Sequence, residues 1–320
     1  MTNTTTLTNQ AIAAQGLRKS YGDKVVLDGI DLHVAEGTVL SLLGPNGAGK
    51  TTTVQILSTL IGADGGDVTV AGHDLARDPQ AVRASIGVTG QYSAVDKLLT
   101  GEENLHLMAD LHHLPRREGR QLTARLLEQF DLVEAAKKPA STYSGGMQRR
   151  LDLAMTLVGN PHIIFLDEPT TGLDPRSRRT MWQIVRDLVD SGVTIFLTTQ
   201  NLDEADQLAD RIAMLDHGTL IAEGTPEELK RLIPGGHVSL RFADEPGVKS
   251  ALRALGTGFI TDDALTLQVP SDGSARDLRQ MLTRLDDLAA DVEDLSVHTP
   301  DLDDVFLTLT GNPKDKDAVR

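Results

Sequence analysis

Cysteine is absent from the 320 residues, which excludes disulfides and any thiolate metal site and suits a reducing compartment. Aromatic residues make up only 3% of the chain, too few for the stacking platforms that hold single-stranded nucleic acid. Positive charge is in deficit: 31 Lys and Arg stand against 46 Asp and Glu, a formal net charge of −15. A surface of that sign repels polyphosphate backbones, so no nucleic-acid partner is expected. Long apolar runs are missing too. Stretches such as residues 163–166 fall far short of the roughly 20 residues that a membrane helix needs, and the chain is not expected to cross a bilayer by itself. Residues 1–10 are rich in Thr and Asn, with no basic segment followed by an apolar core, and read as a disordered terminus rather than a signal peptide.

What is present is an ordinary globular balance, 40% hydrophobic and 24% charged, arranged as alternating strands and helices. Residues 38–43 (TVLSLL) read as a buried strand running into a Gly-rich turn. Met181, Ile184, Val185, Leu188 and Val189 repeat at helical spacing, and residues 193–198 (VTIFLT) follow as a strand. Thr225 before Pro226, with Glu228 three residues on, reads as a helix start. This interleaving predicts an α/β fold with a mostly parallel sheet over residues 11–233. The segment from Pro234 to Gly236 reads as a boundary. Beyond it, residues 234–311 follow a βαββαβ order, the order of a small ferredoxin-like domain, and residues 312–320 read as a disordered tail. Residues 234–320 carry nine Lys or Arg against sixteen Asp or Glu.

Two segments carry chemistry. Gly44, Pro45, Asn46, Gly47, Ala48, Gly49, Lys50, Thr51 and Thr52 contain the pattern G-x-x-x-x-G-K-[ST] between a strand and a helix. The glycines permit a tight turn whose N–H groups face a phosphate, and the following helix adds its positive end. Lys50 can reach the β- and γ-phosphates, and Thr51 offers a hydroxyl to Mg²⁺. Residues 163–168 (IIFLDE) are an apolar strand ending in two carboxylates. In a P-loop fold Asp167 completes the Mg²⁺ shell, and Glu168 is placed to polarise the attacking water.

These residues, with three further segments in the same order and spacing, make the chain resemble the ATP-binding subunit of an ABC transporter. Ser144, Gly145 and Gly146, in Tyr143-Ser-Gly-Gly-Met147, are similar to the family signature, with Tyr143 and Met147 in place of the usual flanking Leu and Gln. Gln91 falls at the Q-loop position, as a Mg²⁺ or water ligand, Asp174 lies in the D-loop, and Tyr21 stands where the family stacks a ring on adenine. The resemblance implies a RecA-like core with an antiparallel β-subdomain and a helical subdomain at about residues 92–160. It implies ATP hydrolysis with Mg²⁺. It further implies a homodimer in which each ATP lies between one P-loop and the other subunit's Ser144, Gly145 and Gly146. The transport partner would be a separately encoded membrane permease, which places this subunit on the cytoplasmic face of the membrane. Tyr21 can equally serve as a core tyrosine.

One departure is chemical. The family carries a His at the γ-phosphate after the strand stretch of residues 196–199, and this chain carries Gln200. An amide can donate one hydrogen bond and accept another there, but holds no charge near neutral pH. Together with residues 171–177 (TGLDPRS) and Leu302-Asp-Asp-Val-Phe-Leu307, that position makes the chain similar to the daunorubicin-resistance branch of drug exporters. The cargo implied is a hydrophobic antibiotic, anthracycline-like by resemblance. The final helix, with Leu302, Val305, Phe306 and Leu309 on one face, either closes its own small core or offers a contact to a second chain. His112 and His113 are adjacent on a helix and share no face, so they are not expected to hold a metal.

Overall fold

The computed structural model describes residues 10–90, 94–233, 236–261, 263–271, 274–286, 292–298 and 300–310. It divides into two compact units, Met1–Pro226 and Glu227–Arg320. That division falls within a short helix and earlier than Pro234 and Gly235, which lie outside the described residues.

In the first unit, β1 (Gln10–Tyr21) and β2 (Lys24–Ala35) form an antiparallel hairpin closed by Gly22, whose φ of 59° suits a two-residue turn. Gln10 thus belongs to β1, inside the stretch 1–10 expected to be disordered. The central strand β3 (Val39–Leu43) leads into α1 (Lys50–Leu57). β4 (Gly65–Val70) and β5 (His73–Asp74) complete a sheet of order β2-β1-β4-β5. α2 (Pro79–Ser85) precedes β6 (Ile86–Thr89). The helices α3 (Gly101–Leu111), α4 (Arg116–Gln129) and α5 (Gly145–Thr156) follow. β7 (Ile163–Asp167), α6 (Pro175–Asp190), β8 (Thr194–Thr199), α7 (Leu202–Leu208), β9 (Arg211–Asp216) and β10 (Thr219–Gly224) end the series, and α8 (Pro226–Lys230) is the helix in which the division falls. The second sheet has the order β10-β9-β3-β8-β7-β6, parallel throughout except for β9 with β10.

Why β7 and β8 read as unbroken apolar runs is plain from their burial: every residue is buried, because both faces of the sheet are covered. Alternate side chains go to different cores. Ile164, Leu166, Ile195 and Leu197 join the cluster under α3 to α6, whereas Ile163, Phe165 and Phe196 join the one beneath α1 and the antiparallel sheet. The Phe165 and Phe196 rings meet with centroids 5.5 Å apart. The helical face of α6 is as the spacing predicts, with Met181, Ile184, Val185 and Leu188 buried.

The second unit contains β11 (His237–Phe242), α9 (Glu245–Leu255), β12 (Phe259–Ile260), β13 (Thr266–Pro270), α10 (Ala275–Asp286), β14 (Val292–His298) and α11 (Leu302–Thr310). Its antiparallel sheet runs β12-β13-β11-β14, the strand order of a ferredoxin-like βαββαβ unit. Val238, Leu240 and Phe242 pack with Val248 and Ala251 of α9 and Met281 of α10 into a core of its own. On α11, Leu302 and Val305 are buried but Leu309 is 38% exposed, so the apolar face expected to run to Leu309 is covered only over its first turn. Among the described residues no helix is long and apolar enough to cross a membrane.

Candidate functional site

The loop from Gly44 to Gly49 is held at both ends. Gly44 N–H donates to Thr199 O at 3.3 Å, and Gly218 N–H donates to Ala48 O at 3.1 Å. Gly47 and Gly49 have φ of 84° and 116°, conformations that a side chain resists. Gly44 is required by space instead: a Cβ there would lie 2.2 Å from Leu215 O, a backbone atom on β9. Gly44→Ala should therefore cost about 1–3 kcal/mol of overpacking, read as a lowered Tm together with weakened ATP binding. An unchanged Tm would mean that β9 yields.

α1 starts without help. Gly49 supplies no side-chain cap and the first turn holds no acidic residue. By contrast α2, α3, α5, α6, α7 and α9 are capped by Asp78, Thr100, Ser144, Asp174, Asn201 and Asp244, and α4, which also lacks a side-chain cap, carries Glu118 in its first turn. An uncapped first turn leaves N–H donors and the positive helix end facing outward, the fit a phosphate requires. The cleft in front of it measures about 340 Å³, with Asn46, Gly47, Lys50, Thr51, Thr52 and Glu168 among its lining residues.

Lys50 is buried at the floor, 4% exposed. Its Nζ donates to Gly44 O at 2.8 Å and Pro45 O at 3.1 Å, and lies 3.6 Å from a Glu168 carboxylate oxygen. Burial lowers its pKa from the ordinary lysine value, and the charges of Glu168 and Asp167 oppose that shift. Asp167, at the buried end of β7, accepts a short hydrogen bond from the Thr198 hydroxyl. Glu168 follows with φ of 49°, a left-handed conformation that costs a non-glycine residue about 1–3 kcal/mol. Its N–H donates to Thr198 O at 3.0 Å, and its carboxylate accepts from the Thr171 hydroxyl at 3.3 Å.

The Thr51 hydroxyl and the Asp167 carboxylate are hard oxygen donors of the kind Mg²⁺ takes. Among the described residues no group of three or more His, Cys, Asp or Glu could hold a metal ion. One or two protein oxygens completed by substrate phosphates is the usual arrangement for Mg²⁺ at such sites.

Other expected residues stand apart from the cleft. Ser144 is exposed at the start of α5, its hydroxyl accepting from Met147 N–H at 3.3 Å. Gly145 is exposed beside it, and Gly146 is buried against α6, where a Cβ would meet the Ser177 hydroxyl at 2.5 Å. Asp174 accepts from the Ser177 hydroxyl at 2.6 Å and from the Ser177 and Arg176 N–H groups, and these bonds hold its carboxyl below the usual range. The first turns of α5 and α6 thus share Ser177. Tyr143, which replaces the usual Leu, is buried with its hydroxyl donating to Ala135 O at 2.7 Å. Residue 101 is Gly, and a Cβ there would fall 2.2 Å from that hydroxyl.

Tyr21 is 50% exposed at the end of β1, with Lys19 Nζ 5.5 Å from its ring centre. The hairpin pairs it with Lys24, which lines the cleft. Gln200 is exposed directly after β8. Gln91 lies outside the described residues. Lys24, Thr198 and Arg149 are contributors that the motifs do not name. The pairing of Tyr21 with Lys24 across a two-residue turn is the sequence signal for the first.

The model of the ABC transporter family matches residues 27–171. A model of the osmosensitive K⁺ channel His kinase sensor domain matches residues 113–231 and overlaps it. A daunorubicin resistance ATP-binding protein of Streptomyces coeruleorubidus is 50% identical over 307 residues, 94% of this chain and 95% of that protein. A Nod factor export ATP-binding protein of Paraburkholderia xenovorans is 37% identical over 304 residues, 94% of this chain and 97% of that one. A solved ATP-binding subunit of an ABC transporter aligns with a TM-score of 0.62 at 26% identity, over 69% of this chain and 92% of that one.

Proposed function

The chain belongs to the ATP-binding subunits of ABC transporters, and from that premise we propose that it powers export of a hydrophobic antibiotic of the anthracycline class through a separate permease. The observation that carries the cargo class is the 50% identity to a daunorubicin resistance protein across 94% of the chain. The solved cassette accounts for 69%, so the likeness to the resistance protein extends into the second unit.

In this reading the triphosphate enters the cleft before α1. Lys50 turns from the Gly44 and Pro45 carbonyls to the β- and γ-phosphate oxygens. Tyr21 stacks on the adenine. Thr51, Asp167 and Gln91 would hold Mg²⁺, which supplies neutralisation of charge on the phosphate oxygens. A water attacks the γ-phosphorus and gives its proton to the Glu168 carboxylate, while the bond to the β–γ bridging oxygen breaks, leaving ADP and phosphate. Gln200 contacts the γ-phosphate as a neutral amide. A second copy covers the phosphates with Ser144 and the N–H groups of Gly145 and Gly146, with Asp174 at the seam, so the working form is a homodimer. It sits on the cytoplasmic face of the membrane through the permease.

The test is transport. Inverted membrane vesicles carrying the chain and its permease should accumulate doxorubicin only with MgATP, and vesicles with Glu168→Gln should not. Active, coupled vesicles whose ATPase responds to a lipo-oligosaccharide and never to doxorubicin would move the cargo to another class.

A further inference from the structure

Arg149 lies in the second turn of α5 and is almost wholly buried, its side chain 12% exposed. Among the described residues its salt bridge is with Asp152 and not with a carboxylate at the cleft. Its fork is spent on main-chain carbonyls: Nη2 donates to Asp167 O at 3.1 Å, Nε to Pro169 O at 3.1 Å, and Nη1 to Gly90 O at 2.8 Å. Asp152, one turn further along and also buried, accepts from Arg149 Nη1 at 3.3 Å and from Ala94 N–H at 3.0 Å. Removing a guanidinium from water is costly, and every nitrogen here is matched by an oxygen.

The placement of two of those carbonyls is informative. Asp167 and Pro169 flank Glu168, the residue with φ of 49°. One rigid, planar group grips the Asp167–Glu168 peptide, directly before the strained residue, and the Pro169–Thr170 peptide, one residue beyond it, which fixes their relative orientation and so the backbone that aims the Glu168 carboxylate. The same ion pair fastens Gly90 and Ala94, on either side of residues 91–93, to α5. α5 begins immediately after Ser144.

We propose that Arg149, supported by Asp152, is a positioning residue for hydrolysis: it holds Glu168 in its reactive orientation and ties that orientation to the placement of α5. The inference rests on the reading of Glu168 as the base. A purely structural ion pair would lower stability when broken, and turnover only in proportion to the folded fraction. A positioning residue lowers kcat in protein that is folded and still binds ATP, since displacement of a reacting group by about 1 Å can cost as much as ~10²-fold.

The experiment measures kcat and KM for MgATP, with Tm in the absence of nucleotide, in the full chain carrying Arg149→Met, Arg149→Lys or Asp152→Asn. Arg149→Met should lower kcat about 10- to 100-fold with KM within about threefold of the parent. Arg149→Lys keeps the charge but offers a single point instead of a planar fork. Its Tm should stay near the parent's while kcat falls most of the way to that of the Met variant. In a Glu168→Gln background, either Arg149 change should cause no further loss. Parental kcat in Arg149→Lys overturns the proposal, and this variant decides the matter if Arg149→Met does not fold. Additive losses in the Glu168→Gln background also overturn it. Parental kcat in Glu168→Gln alone would instead remove the assignment of the base.

Discussion

Glu168→Gln is expected to lower kcat by about 10²–10⁴-fold, the range a positioned general base supplies, while ATP still binds. The substitution keeps the volume of the side chain and an oxygen able to accept from the Thr171 hydroxyl, 3.3 Å away. It removes the charge that stands 3.6 Å from Lys50 Nζ and the group proposed to take the proton from water. Binding and hydrolysis should separate cleanly as a result. With ATP and Mg²⁺ the variant should accumulate as dimers, because the sandwich forms but is not reset by cleavage. Light scattering on protein with ATP demonstrably bound checks this. Only monomers under those conditions would count against the arrangement in which Ser144 covers the nucleotide of a second copy.

Lys50→Ala should act at the earlier step. A buried ammonium facing phosphate oxygens makes charge-assisted hydrogen bonds worth about 1.5–3 kcal/mol each. Losing two weakens ATP binding by roughly 10²-fold or more. The nucleotide-free protein should tell a different story. There the lysine is buried at an energetic cost that depresses its pKa, and the nearby Glu168 and Asp167 charges together with the Gly44 and Pro45 carbonyls recover only part of that cost. Tm without nucleotide should stay the same or rise, and the increase in Tm that ATP gives the parent should vanish. Near-parental hydrolysis by this variant would remove the phosphate site from Gly44–Thr52.

The P-loop and the acidic end of β7 could be read from the chain because their chemistry is local. Consecutive N–H groups must point one way, which demands glycine at Gly47 and Gly49, and the proposed catalytic carboxylate follows directly on a buried strand of four apolar residues that ends in Asp167. The strand and helix order of the second unit was legible for the same reason, since β11 and α9 each carry their own periodicity. Arg149 was not. A basic residue on a helix reads as a solvated face. Its partners at Gly90, Asp167 and Pro169 come from two other segments, brought together only when β6 and β7 pair in parallel. The left-handed Glu168 is invisible in sequence too, since nothing about a glutamate announces positive φ. At α11, spacing placed Leu309 on the apolar face, but how far that face is covered depends on tertiary packing, and cover stops short of Leu309.

The uncapped start of α1 has a consequence for the stability of the protein in the cell. A helix end whose donors are completed by a ligand has local stability that follows the ligand's concentration. With ATP at about one hundred times its dissociation constant, the folded state gains roughly 2.7 kcal/mol. When the adenylate pool is depleted that increment shrinks, and Lys50, Thr51 and Thr52 begin a helix that has no side-chain cap and no acidic residue in its first turn. Stability would thus follow fuel supply, so that the site that binds ATP also sets how firmly the chain stays folded.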